Sequence, residues 1–160
     1  TAIKKEKADA LTIEEAIKSM SMLNKNASEI LKKYSPNAVT DVTGFGLIGH
    51  LIELVKSSDI SANINFSKIP LLHGTLDLAN DGIVPGGSKR NLNYANEFVF
   101  FSDTLTNTQK LLTCDAQTSG GLLISLPDDK ATQFISEYGT NATKIGSIIK
   151  KDKFLISVDE

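Results

Sequence analysis

The sequence predicts one α+β domain, on three observations. Stretches with helical apolar spacing alternate with short strand-like runs, the two kinds follow no regular parallel-unit rhythm, and no internal repeat or low-complexity tract interrupts them. The 160 residues, 41% of them hydrophobic, suffice for a domain with its own core.

Taken in order, Thr12 and Glu15 form a capping-box pattern. Ile13, Ile17, Met20, Leu23, Ala27, Ile30 and Leu31 then carry helical spacing, as one long helix or two broken ones. Pro36 ends this region, and "AVTDVT" reads as a short buried strand. Gly44 and Gly46 make a turn. Leu47, Ile48, Leu51, Ile52 and Val55 follow on one helical face that ends at "KSSD". "ISANINF" alternates as a half-buried strand with Ile60, Ala62, Ile64 and Phe66 on one side.

"PLLHGTLDLANDG" predicts a helix opened by Pro70 and closed at Gly82. "PGGSKRN" predicts a loop leading into a short helix, and "EFVFF" a strand. A short helix near "NTQKLL" precedes the turn residues "TCDAQTSGG" and the apolar strand "LLISL". "DDKATQFISEYG" has acids in its first turn and a terminal glycine, as a helix should. "KIGSII" and "KFLISV", joined by "KKDK", predict a closing hairpin.

Composition excludes several function classes. Seventeen basic and nineteen acidic residues leave a net charge of -2 with no dense basic stripe, so nucleic acid is not an expected partner. The lone Cys114 cannot form an internal disulfide, and no Cys/His cluster has zinc-site spacing, which fits a reducing, cytoplasmic setting. The apolar runs fall far short of the roughly 20 residues that cross a bilayer, so no membrane association is expected.

The richest stretch is "TDVTGFGLIGHL", residues 40–51, a strand, glycine turn and helix. Amides at a helix start have no intrahelical partner and can approach an anion, with phosphate the natural candidate. Asp41 beside a phosphate would be repelled unless a cation lay between them, and magnesium bridges one carboxylate to phosphates in this way. A tight strand-to-helix connection with an acid near the helix N-terminus accounts for the same pattern. Thr43, Gly44 and Gly46 share that pair of readings, as pocket lining or as turn geometry.

The motif "AVTDVTGFGLIGHL" resembles the signature that opens the C-terminal half of selenophosphate synthetase (selenide, water dikinase). "PGGSKRNLNYA" is similar to that family's Gly-Gly segment ending in Arg-Asn, and "DAQTSGGLLISL" to its Asp-Pro-Gln-Thr-Ser-Gly-Gly-Leu-Leu block, with Ala116 where proline is usual. "SMSMLNKNASEILKKY" looks like its linking helices. The resemblance implies a mixed sheet covered by helices, as in the C-terminal domain of the aminoimidazole ribonucleotide synthetase superfamily. It divides the chain into linking helices at 1–37 and sheet with helices at 38–160.

It further implies that ATP, selenide and water become selenophosphate, phosphate and AMP, with Asp41 holding Mg2+ against ATP and Thr43, Gly44 and Gly46 lining the nucleotide. The family's ATP-binding N-terminal half, with its reactive Cys or selenocysteine, is absent here, so an inactive C-terminal domain is expected. Its partner would be its own N-terminal domain, in a full-length homodimer. The other outcomes are a different ATP-dependent member of the superfamily, or a non-catalytic α+β module that binds a partner chain.

Remaining residues carry weaker signals. His50 reads as a packed or capping histidine, His73 as structural or solvated, and Cys114 as a small core or turn residue. Lys89 and Arg90 read as wet surface. Thr118 to Gly121 resemble a nucleophile turn but lead into a strand, with no His-Asp pair to serve it.

Overall fold

The computed structural model describes residues Thr1–Glu160. Seven helices and six strands follow the order α1 Ala10–Ser21, α2 Lys25–Leu31, β1 Ala38–Asp41, α3 Gly46–Ser57, β2 Ile60–Asn65, α4 Thr75–Asn80, α5 Gly86–Ala95, β3 Val99–Phe101, α6 Asn107–Thr113, β4 Leu122–Ser125, α7 Asp128–Tyr138, β5 Gly146–Lys150 and β6 Ile156–Asp159. The fold is α+β with a mixed sheet, as expected. That sheet runs β3-β6-β2-β5, with β6 parallel to both β3 and β2, and β5 antiparallel to β2. Strands β1 and β4 form a separate antiparallel ladder that pairs Asp41 with Leu122.

Helix α3 supplies the centre of the core because its apolar residues recur on one face. Ile48, Ile52 and Val55 are fully buried against Ala62, Ile64, Val99, Ile156 and Val158. Each such side chain contributes roughly 1.5–3 kcal/mol on leaving water. A second, small cluster of Ala27, Leu31 and Phe134 docks α2 on α7. Tyr34 meets the edge of the Phe134 ring at 5.8 Å between centroids, and Tyr138 stacks on it at 5.6 Å.

Several local expectations are corrected. The cap of α1 is Asp9, whose carboxylate accepts the Thr12 N–H at 2.7 Å. Glu15 is taken instead by a tertiary contact, accepting the His73 N–H at 2.9 Å. Helix α4 starts after Gly74, whose φ of +71° breaks any helix running from Pro70. Gly86 and Gly87 belong to α5 itself, with Pro85 at its cap. The closing hairpin does not form: β2 lies between β5 and β6 and pairs with both. Strand β1 is half-exposed because its ladder has only two strands.

Candidate functional site

Three segments far apart in sequence converge at the start of α3: the turn 41–46, the start of α5, and the turn 114–121. Backbone pairing joins the two turns. Val42 N–H donates to Gly121 O at 2.9 Å, Gly120 N–H to Val42 O at 3.0 Å, and Gln117 N–H to Thr43 O at 3.0 Å. Gly46 sets how closely they approach. With φ at +71°, it opens α3 where an added Cβ would lie 2.6 Å from the Cys114 carbonyl carbon and 2.8 Å from Asp115 O. Glycine is required there by the left-handed backbone and by a neighbouring main chain that cannot step aside. Gly120 shares the second of these needs, since its Cβ would meet Val42 O at 2.4 Å.

Side chains complete the junction. Ser88, fully buried on α5, donates to Asp115 Oδ1 at 2.5 Å and accepts the Ala116 N–H at 3.1 Å. Burial raises the Asp115 carboxyl above its ordinary value, with the Ser88 hydrogen bond opposing. Asn91, one helical turn on, donates to Gly44 O at 2.9 Å and Cys114 O at 3.1 Å. Across the turn, His50 Nε2 lies 3.0 Å from Thr43 N and 3.1 Å from Thr43 Oγ1. Cys114 is fully buried, and loss of hydration pushes its thiol up to about 11. It is a core residue with no thiolate to offer.

The four residues singled out in the sequence have different surroundings. Asp41 is exposed at the end of β1, and its carboxylate enters none of the ion pairs or side-chain hydrogen bonds. Gly44 is exposed with open space where a side chain would stand. Thr43 is half-buried, and Gly46 is buried against the 114–115 backbone. No side chain caps α3 at Phe45, so its N-terminal end keeps its partial positive charge beside this turn.

Asp41 and Thr40 also line an open groove of about 790 Å3, with Asn24, Lys25, Ser28 and Lys32 from the α2 side. The groove therefore brings a carboxylate and two ammonium groups to one surface. No group of three or more His, Cys, Asp or Glu residues is placed to hold a metal. A single exposed carboxylate is a ligand type that magnesium takes, with its other oxygens supplied by phosphate, water or further protein.

Ser88, Asn91 and Asp115 escaped the sequence reading of the site because their partners lie 23 to 47 residues away. The available signal was that two of the three quoted motifs contain them. Thr118 and Ser119 are exposed, and their turn is held by backbone pairing together with an Asn24 Nδ2 bond to Gly120 O at 3.1 Å. His73 is tied to α1 through its amide. No helix is long and apolar enough to cross a membrane.

Residues 2–159 match the model of the family described as AIR synthase related protein, C-terminal domain. The chain is 38% identical over 149 residues to the selenide, water dikinase of Aliarcobacter butzleri, covering 93% of this chain and 43% of that protein. It is 34% identical over 162 residues to that of Clostridioides difficile, covering 99% and 47%, and 39% over 153 residues to that of Myxococcus xanthus, covering 92% and 44%. It thus spans less than half the length of these curated relatives. Among solved structures, thiamine monophosphate kinase from Aquifex aeolicus has a similar fold, with a TM-score of 0.56 at 16% identity over 98% of this chain and 43% of that one.

Proposed function

Because the chain belongs to the family of AIR synthase related protein C-terminal domains, with selenide, water dikinases among its relatives, we propose that it is the C-terminal domain of such an enzyme. The reaction is the conversion of ATP, selenide and water into selenophosphate, phosphate and AMP. The observation that carries the reading is the junction. The three motifs that resemble that family's meet at one turn, which leaves the Asp41 carboxylate free and exposed.

Asp41 would hold Mg2+ on the ATP phosphates, with Thr43 and Gly44 nearest the nucleotide. When bound, the ion neutralises phosphate charge and stabilises charge that develops during phosphoryl transfer. The chain's own residues orient the ligand. Backbone pairing of turns 41–46 and 114–121 fixes the direction of the Asp41 strand end. Gly44 leaves room for close approach, and Gly46 serves by letting the turn close against Cys114 and Asp115. Lys25 and Lys32 on the groove add positive charge facing an anionic ligand.

The remaining length of the enzyme would supply an N-terminal half with the reactive Cys or selenocysteine, further carboxylates and the dimer contact. Residues 1–37 would link the halves. Helix α1 supports this, because none of its residues is buried and Leu11, Ile17 and Met20 are exposed. The 160-residue domain alone would be inactive, and the working compartment would be the cytoplasm.

The test is selenide-dependent AMP release by the full-length enzyme across a range of magnesium concentrations. Asp41→Asn should raise the magnesium requirement about tenfold or more, since asparagine keeps the shape and loses the charge. An unchanged magnesium requirement would rule Asp41 out as a ligand.

A further inference from the structure

His50 and Asn91 both place their polar ends on the same two-residue turn. His50 Nε2 stands 3.0 Å from the Thr43 amide nitrogen. A backbone N–H can only donate, so this ring nitrogen must accept, which leaves the ring proton on Nδ1. The Thr43 hydroxyl oxygen also lies 3.1 Å from this nitrogen. Asn91 does the converse: its amide nitrogen donates to Gly44 O at 2.9 Å and to Cys114 O at 3.1 Å. The pair therefore grips the N–H at one end of Thr43–Gly44 and the C=O at the other, two residues beyond Asp41.

Backbone bonds hold the turn on either side, and these two side chains supply the bonds that remain between them. Gly44 is exposed, with nothing within 4 Å of a built Cβ, and the Phe45 ring is 65% exposed and touches the His50 ring at 5.7 Å between centroids. Backbone pairing reaches Val42 and Thr43 O, and resumes at Gly46 N. The Gly44 carbonyl thus has Asn91 as its partner in place of backbone, and the Thr43 N–H has His50, although the carbonyl of that same peptide, Val42 O, is paired with Gly120.

We propose that His50, as a neutral Nδ1–H imidazole, and Asn91 are positioning residues. They act through the Thr43–Gly44 turn to hold Asp41 and the face of Gly44 in register for a metal-bound polyphosphate. This rests on the assignment of Asp41 above. Neither residue touches the ligand, and their substitution changes how well the turn is ordered.

The experiment has two arms. First, imidazole and amide nitrogen NMR is recorded on the protein in mildly alkaline buffer. The sequence has only two histidines, so a His73→Gln background leaves His50 alone. An unprotonated Nε2 is expected, with a Thr43 amide resonance that broadens or shifts in His50→Ala and in the isosteric Asn91→Asp. The shift should be restored in His50→Gln, whose Oε1 accepts at nearly the same place. A protonated Nε2 in the neutral ring, or a Thr43 amide indifferent to both substitutions, overturns the inference.

Second, the full-length enzyme is assayed with MgATP and selenide. His50→Ala and Asn91→Asp are each expected to raise the apparent magnesium requirement about tenfold. The double variant should cost less than the product of the two, because both hold one turn. His50→Gln should recover most of the loss. Equal losses in His50→Gln and His50→Ala would overturn the positioning role. Failure of the underlying assignment shows elsewhere, in an Asp41→Asn enzyme with wild-type magnesium dependence, and leaves the NMR result standing.

Discussion

Substituting Gly46 with alanine tests whether the junction between the two turns is as close as described. Two costs combine. A non-glycine residue at φ +71° carries roughly 1–2 kcal/mol of backbone strain. The new methyl group would lie 2.6 and 2.7 Å from the carbon and oxygen of the Cys114 carbonyl and 2.8 Å from Asp115 O, so main chain must move, at a further cost of about 1–3 kcal/mol. A total near 3 kcal/mol lowers the melting temperature of a domain this size by about 6–12 °C. Gly44→Ala is the internal control. Its Cβ meets nothing within 4 Å and its φ is not positive, so its stability should stay within about 0.5 kcal/mol of wild type. Thermal and urea unfolding of the three proteins measure both effects. A Gly46→Ala protein that melts within about 1 °C of wild type would refute the close approach and the conformational requirement together.

Cys114 should be inert to iodoacetamide at pH about 8 in the folded protein and react once urea unfolds it, because burial raises its thiol to about 11; rapid labelling of the native state would contradict this. Asp115 has a raised folded pKa, so the native state binds its proton more tightly than the unfolded chain, and its contribution to stability falls as pH rises through the folded value. Urea titrations should therefore show Asp115→Asn gaining on wild type as pH moves from about 4 toward neutrality; a pH-independent difference would refute it. Phe134→Ala should cost about 3 kcal/mol, with faster amide exchange in α2 than in α3, since Phe134 is the large buried side chain under α2 while α3 has its own core. Equal acceleration in both helices would show that the small cluster is not a separate unit.

How far the sequence foretold this structure depends on whether the determining contacts were local. Helix α3 was legible because Ile48, Leu51, Ile52 and Val55 repeat at helical spacing and are all buried. The alternation in β2 was legible too, although Ser61 is also buried, donating to Phe154 O at 2.9 Å. Strands β5 and β6 were recognisable as strands but not as partners of β2. Their separation in sequence is short, whereas Ala62 pairs with both Ile148 and Ile156, and no local turn signal encodes a strand inserted between two neighbours. The Thr12–Glu15 pattern failed because Asp9 competes for the cap and the loop at His73 claims Glu15.

At the site, Asp41 and the glycine turn stood out as local signals of strand, turn and helix. What the glycines do was not legible. Gly44 opens a surface while Gly46 accommodates main chain, and only the position of residues 114–115 separates the two. Ser88 and Asn91 flank the basic pair Lys89 and Arg90 and carry no local signal of a role. Their importance lies in acceptors delivered by distant turns.

On the function proposed, this domain completes a selenophosphate-forming site through Asp41. Phosphorus NMR of the full-length enzyme with ATP, magnesium and selenide tests it most directly, comparing wild type with Asp41→Asn. The account predicts selenophosphate and AMP from wild type and a severe loss of both from the variant, with its fold intact. A folded wild-type enzyme that makes no selenium-containing phosphate, or a variant that makes it at the wild-type rate, would contradict it.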